Sequence, residues 1–179
     1  MSLSKWPIIE TKFKKFTLNG YKHHIWYGDA LAGAGIGLAK IQMENDFILN
    51  AYVSHFHAEY NRENDPYKVD RLCQSLEAGE FIQMTLTNSD ALIYCGDFNT
   101  EPGDLPYKVL TQFYKLKDSQ NSLEEKPLAT CYAKENSYRS LDSGEIREKT
   151  IDYVFFKTFL NSKVYFKILN YVSSHAENV

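Results

Sequence analysis

Residues 91–99 read ALIYCGDFN: an apolar and aromatic run from Ala91 to Cys95, then Gly96, then Asp97 and Asn99 on either side of Phe98. A short apolar run closed by glycine is the pattern of a buried strand, and polar residues directly behind such a strand sit where loops carry chemistry. In an extended segment Asp97 and Asn99 project to one side while Phe98 points to the core. A carboxylate and an amide side by side can orient a water and hold a phosphoryl oxygen. The alternative is an Asp-Asn turn cap after Gly96.

Upstream, FILNAYVSHF at 47–56 is apolar at nearly every position, as expected of a strand covered on both faces, and it ends at His55 with His57 just beyond. NRENDPYK at 61–68 supplies turn residues and places Pro66 behind Asp65, an N-cap followed by proline at the first helical position. Val69, Leu72, Leu76, Gly79 and Ile82 then recur at spacings of three and four. They predict a helix of about five turns packing that face on a sheet. Downstream, Lys115 to Lys149 is polar, with expected loops at Lys117–Ser122 and Leu141–Gly144. IDYVFF at 151–156 reads as a further strand and VYFKILNYV at 164–172 as a last one. Strands alternating with few helices suggest an α/β sandwich, without internal repeats.

The chain has 179 residues, 44% of them hydrophobic, which suits a single globular unit over 1–179. A formal net charge of −3 removes the basic field with which proteins displace counterions from long nucleic acids, and weighs against a nuclease. Cys73, Cys95 and Cys131 are odd in number and lack metal-type spacing. They read as buried reduced thiols, at home in the cytosol. Met1-Ser2-Leu3 opens no apolar signal core, and no run approaches the roughly 18 apolar residues of a membrane span.

His55, the Asp97/Asn99 pair and Asp152 each stand at the end of a buried apolar strand. Polar groups there are costly unless they work or pair, and three at successive strand ends point to a shared site. Asp97 can serve as general base only while ionised, a state that a companion Mg²⁺ favours. His55 and His57 alternate around Phe56, yet no Cys or third His stands at a spacing that would complete a transition-metal site. A histidine that hydrogen-bonds a phosphoryl oxygen fits the Asp and Asn partners better.

Three stretches, HAEYNRENDPYKVDRLCQSLEAGEFI at 57–82, GDFNTEPGDLPYKVL at 96–110 and IDYVFFK at 151–157, strongly resemble the neutral sphingomyelinases of the endonuclease/exonuclease/phosphatase superfamily. GDFN, with Ser54-His55-Phe56 before it, marks the superfamily, and HAEYNR selects the sphingomyelinase branch. NGYKHHIWYGDALAGAGIGL at 19–38 is similar to that branch too, so the resemblance runs from Trp6 to Lys157. It implies a four-layer α/β/β/α sandwich of the deoxyribonuclease I-like type. It also implies that His55 contacts the scissile phosphate, Asp97 aligns or deprotonates the attacking water and Asn99 helps hold the phosphate. Asp152 would orient a histidine supplied further along, and Asp29, His57 and Glu59 would bind substrate; Asn50 has no clear role. The implied reaction is Mg²⁺-dependent hydrolysis of sphingomyelin to ceramide and phosphocholine, the cation neutralising charge in the transition state. The implied partner is a phospholipid at a membrane surface, not a nucleic acid. The implied location is cytoplasmic and peripheral to the membrane, complete members being membrane-anchored.

The chain also departs from the pattern. The family's metal-binding Glu belongs upstream of Ser4-Lys5-Trp6-Pro7, and its closing Ser-Asp-His motif has no clear match, Ser174-His175 being only a partial one. The expectation is therefore the central part of a domain, incomplete at both termini and inactive alone. A family lysine is replaced by Ala34, with Asp29 retained and Lys40 no obvious substitute. A nuclease or phosphatase of the same superfamily, or a non-catalytic lipid- or protein-binding module, are the alternatives.

Overall fold

The computed structural model describes residues 4–21, 33–122, 129–131 and 147–159. In chain order these form β1 (Ile8–Lys15), β2 (Gly35–Gln42), β3 (Ile48–His55), α1 (Lys68–Thr85) and β4 (Ala91–Asp97). Then come the one-turn α2 (Leu105–Lys108), which continues as a π-helical turn at Val109–Phe113, the two-residue β5 (Lys117–Asp118) and β6 (Asp152–Thr158). The sheet order is β1-β2-β3-β4-β6-β5. Among the described strands only β3 and β4 pair in parallel; their neighbours run antiparallel. A parallel pair needs a crossover, which α1 provides. Its consequence is decisive for the site: the register sets His55 opposite Asp97, and Asp97 opposite Asp152. Residues far apart in sequence thus share one rung at one sheet edge.

Alternation along β3 divides its residues between two environments. Asn50, Tyr52 and Ser54 are buried beneath α1, whereas Val53 on the other face is 58% exposed. The expectation of a strand covered on both faces therefore fails among the described residues, where helices lie over one face. The fold is α/β with a mixed sheet; the second sheet of the expected four-layer sandwich is not among the described residues.

Helix α1 has the expected length but presents a different face. Val69 is 61% exposed and Leu76 is also exposed, while Asp70, Arg71, Gln74, Ala78, Phe81, Ile82 and Thr85 are buried. Apolar spacing missed this because half of the buried stripe is polar and satisfied. The Asp70 carboxylate accepts the Gly20 N–H at 2.9 Å. Gln74 accepts the His57 N–H and donates to the Leu18 carbonyl, both at 2.8 Å. Gly79 does face inward as expected, and there is no room for more: an added Cβ would lie 2.0 Å from the Tyr114 ring. The helix also starts later than expected. Asp65 accepts from the Tyr67 N–H, closing a turn around Pro66, and Tyr67 directly precedes the first helical residue.

The core between sheet and helices is aromatic. Phe56, Tyr94, Phe98 and Phe155 are essentially inaccessible, and Phe98 meets the other three rings at 5.1, 4.8 and 5.1 Å in edge-on geometry. The expected loop at Lys117–Ser122 instead pairs two residues with β6 before a 3₁₀ turn at Gln120–Ser122. The expected strand at 151–156 is β6, shifted to Asp152–Thr158. Leu141–Gly144 and Val164–Val172 lie outside the described residues.

Candidate active site

His55 closes β3, Asp97 closes β4 and Asp152 opens β6. Each of the first two is followed by a buried ring, Phe56 after His55 and Phe98 after Asp97, and these two rings touch each other. The polar residues are thus held at the surface by apolar anchors one position further along the chain. Backbone bonds continue past the strand ends: the Phe56 N–H donates to the Asp97 carbonyl at 2.9 Å and the Phe98 N–H to the Ile151 carbonyl at 2.8 Å. Gly96 lets β3 and β4 come this close, since a Cβ there would stand 1.9 Å from the Ser54 carbonyl oxygen of the neighbouring strand.

His55 Nε2 lies 3.6 Å from Asp97 Oδ2, with the imidazole largely in solvent. The other carboxylate oxygen, Oδ1, accepts the Asn99 backbone N–H at 2.8 Å. Asn99 sits in the left-handed region at φ +45° and its side-chain amide donates to the Phe56 carbonyl at 3.0 Å. The segment is therefore not extended through Asn99: Asp97 caps a turn with one oxygen and faces His55 with the other. Asn99 also stitches the β4 loop to the β3 loop. Burial pushes the Asp97 carboxyl above its ordinary range. Nearby Asp152 adds to this, and the Asn99 N–H and His55 oppose it. Thr130 Oγ1 accepts the Ile151 and Asp152 N–H groups at 3.1 Å each, which anchors the start of β6.

Of the other expected site residues, His57 is buried: its ring stacks on Tyr67 at 3.9 Å and Nδ1 lies 3.1 Å from the Ala58 carbonyl. Glu59 spends its oxygens on cations, one on Arg62 at 2.8 Å and one on Lys149 at 2.9 Å. Both residues therefore hold the loop after β3 rather than lie on the His55, Asp97 and Asp152 rung. Asp29 lies outside the described residues. Asn50 is fully buried, donating to the Tyr52 hydroxyl and the Thr85 carbonyl, away from the rung. Beside His55 a cavity of about 530 Å³ is lined by Phe13, Gly33, Ala34, Val53 and Phe56. Sequence reasoning did not pick out Gln74, Arg71 or Arg62; within 57–82 they were quoted only as part of a motif.

Several comparisons bear on this edge. Residues 3–175 match the model of the Endonuclease/Exonuclease/phosphatase family. A putative neutral sphingomyelinase of Caenorhabditis elegans is 34% identical, over 87% of this chain and 40% of its own length. Sphingomyelin phosphodiesterase 2 of Homo sapiens is 35% identical, over 86% of this chain and 37% of its own length. The chain thus spans about two fifths of the length of these curated relatives. Among solved structures, SmcL superposes with a TM-score of 0.67 at 21% identity, covering 86% of this chain and 51% of that one. A β toxin variant from Staphylococcus aureus with bound magnesium ions gives 0.54 at 19% identity, covering 69% and 42%. At such identities the structures speak for the fold.

Proposed function

Since this chain belongs to the Endonuclease/Exonuclease/phosphatase family, we propose that the edge bearing His55, Asp97 and Asp152 serves a phosphodiesterase that cleaves sphingomyelin to ceramide and phosphocholine. The observation that carries this reading is the Asp97 carboxylate, fixed by the Asn99 N–H through one oxygen and turned toward His55 through the other. Oδ2 takes the proton of the attacking water as its oxygen bonds to phosphorus and the bond from phosphorus to the ceramide oxygen breaks, that oxygen leaving with a proton from solvent, while His55 stabilises the charge gathering on a phosphoryl oxygen. Asn99 braces the two loops, and Asp152 raises the basicity of Asp97 as its neighbour in the rung. The identities to a protein named as a putative neutral sphingomyelinase and to sphingomyelin phosphodiesterase 2 support the choice of lipid.

Mg²⁺ suits the donor chemistry. Asp97 and Asp152 are hard oxygen donors whose mutual repulsion a cation relieves, and Mg²⁺ commonly takes only one or two protein carboxylates and keeps several waters. Among the described residues, no three His, Cys, Asp or Glu side chains gather to hold a metal ion. When bound, the ion would supply charge neutralisation on the phosphoryl oxygens. The lipid substrate places the encounter at a membrane surface; among the described residues no helix is long and apolar enough to cross one. Three free cysteines support a reducing, cytoplasmic side.

The test is a substrate panel given to the protein that carries this sequence: sphingomyelin vesicles, inositol phosphosphingolipid vesicles and supercoiled DNA, each with and without Mg²⁺. Phosphocholine release that needs Mg²⁺ is the expected result. DNA nicking outpacing lipid cleavage would overturn the assignment.

A further inference from the structure

Beyond the last rung, β3 and β4 part and the chain leaves in two loops, one carrying residues 56–67 and the other 98–104. The distance from His55 to Asp97 and Asn99 depends on what keeps these loops together. Arg62 spans them. Its Nη1 and Nη2 each donate at 2.8 Å to the two oxygens of Asp104, a planar fork on a carboxylate, and Nη1 gives a second 2.8 Å bond to Glu59. Asp104 is tied back to its own loop by the Glu101 N–H at 2.9 Å and the Thr100 hydroxyl at 3.4 Å. Glu59 is 7% exposed and receives Lys149 at 2.9 Å, two residues ahead of Ile151 on the approach to β6. Burial pushes the Asp104 and Glu59 carboxyls upward, and the bonds from Arg62 and the other donors outweigh it, so both stay below the usual carboxylate range. All three approaches to the rung therefore converge on one guanidinium and one carboxylate.

We propose that Arg62 is a positioning residue, a clamp between the loop after β3 and the loop after β4 that sets where His55 stands relative to Asp97 and Asn99; its effect on turnover rests on the phosphodiesterase reading. Its guanidinium is engaged by carboxylates, so it acts through the loops. A lysine cannot replace it, because a single ammonium lacks the rigid fork that grips both Asp104 oxygens while keeping Glu59.

Two variants break the clamp from opposite sides, Arg62→Lys and Asp104→Asn, and their double variant closes a cycle. Hydrogen exchange at the Phe56 and Asn99 amides, which bond to Asp97, reports the loop geometry without any catalysis. In both single variants these two amides should exchange about tenfold faster while those in the middle of α1 are unchanged, since only a local opening is released. If the phosphodiesterase reading holds, kcat should fall by up to about 10²-fold with KM nearly constant. The double variant should be no worse than either single one, because both remove the same contact. Unchanged exchange at Phe56 and Asn99 overturns the clamp, and so does a fall in α1 protection matching theirs, which marks a merely structural role. Faster exchange with kcat intact removes the catalytic part. Absence of phosphodiesterase activity in the wild type would defeat the functional reading instead, and leave the exchange result to decide the clamp alone.

Discussion

The Asp97 carboxyl is partly buried beside Asp152, and that has two measurable signs. Its pKa is raised, chiefly by burial and further by Asp152. Activity that needs the carboxylate should fall as pH falls through this raised value, so the acid limb of kcat/KM against pH should sit above that of an ordinary aspartate, about 3.9. Stability runs the other way. A carboxyl whose folded pKa exceeds its unfolded one destabilises the fold above the folded pKa, and the penalty fades as pH falls toward the unfolded value. Asp97→Asn should therefore raise the melting temperature at neutral pH, and the gain should vanish in acid; thermal scans at several pH values check both parts. Ala34 stands in the cavity wall with His55. Ala34→Lys should lower the Kd of an anionic headgroup analogue severalfold in a direct binding titration, since it adds a cation to the wall that His55 shares. His55, Asp97 and Asp152 stood out because each polar group closes or opens an apolar run, and the strand register brings these three together. His57 and Glu59 lie off that rung, and a motif gives no sign of which side chain turns inward.

At the scale of elements, the parallel pairing of β3 with β4 is what makes the rung, and Gly96 is its narrowest point. Gly96→Ala would drive a methyl group into the Ser54 carbonyl, a backbone atom that can yield only if the strands part. The expected cost is about 1–3 kcal/mol by urea denaturation, with a larger proportional loss of kcat than of substrate binding. Helix α1 gives the complementary case. Gln74→Ala leaves the His57 N–H and the Leu18 carbonyl without their buried partner, a loss of about 1–3 kcal/mol per orphaned group. Strand β4 and the length of α1 were readable in the sequence, since short apolar runs and long periodic segments are the strongest local signals. The buried face of α1 was not. Asp70 and Gln74 are satisfied by Gly20 and Leu18, 50 or more residues away, and Arg71 by Asp65 and the His57 carbonyl in the preceding loop, partners that apolar periodicity along the helix does not record.

At the scale of the molecule, the mixed sheet gathers one row of chemistry from three sequence regions, while a net charge of −3 gives no field for gripping nucleic acid. Fold class was legible from the order of strands and helix. Strands β1 and β2 were not marked as strands from their pattern: β1 mixes lysines among its apolar residues and β2 is broken by Gly35 and Gly37, which weakens both signals. The central claim is that the Asp97 carboxylate activates the water that attacks a phosphodiester. Phosphocholine release from sphingomyelin vesicles tests it most directly, using the protein that carries this sequence and its Asp97→Asn variant, in Mg²⁺ and in chelator, with circular dichroism to confirm that both are folded. The expected result is Mg²⁺-dependent release by the wild type and a loss of about 10²–10⁴-fold in the variant. A variant that is folded and releases phosphocholine as fast as the wild type would contradict it.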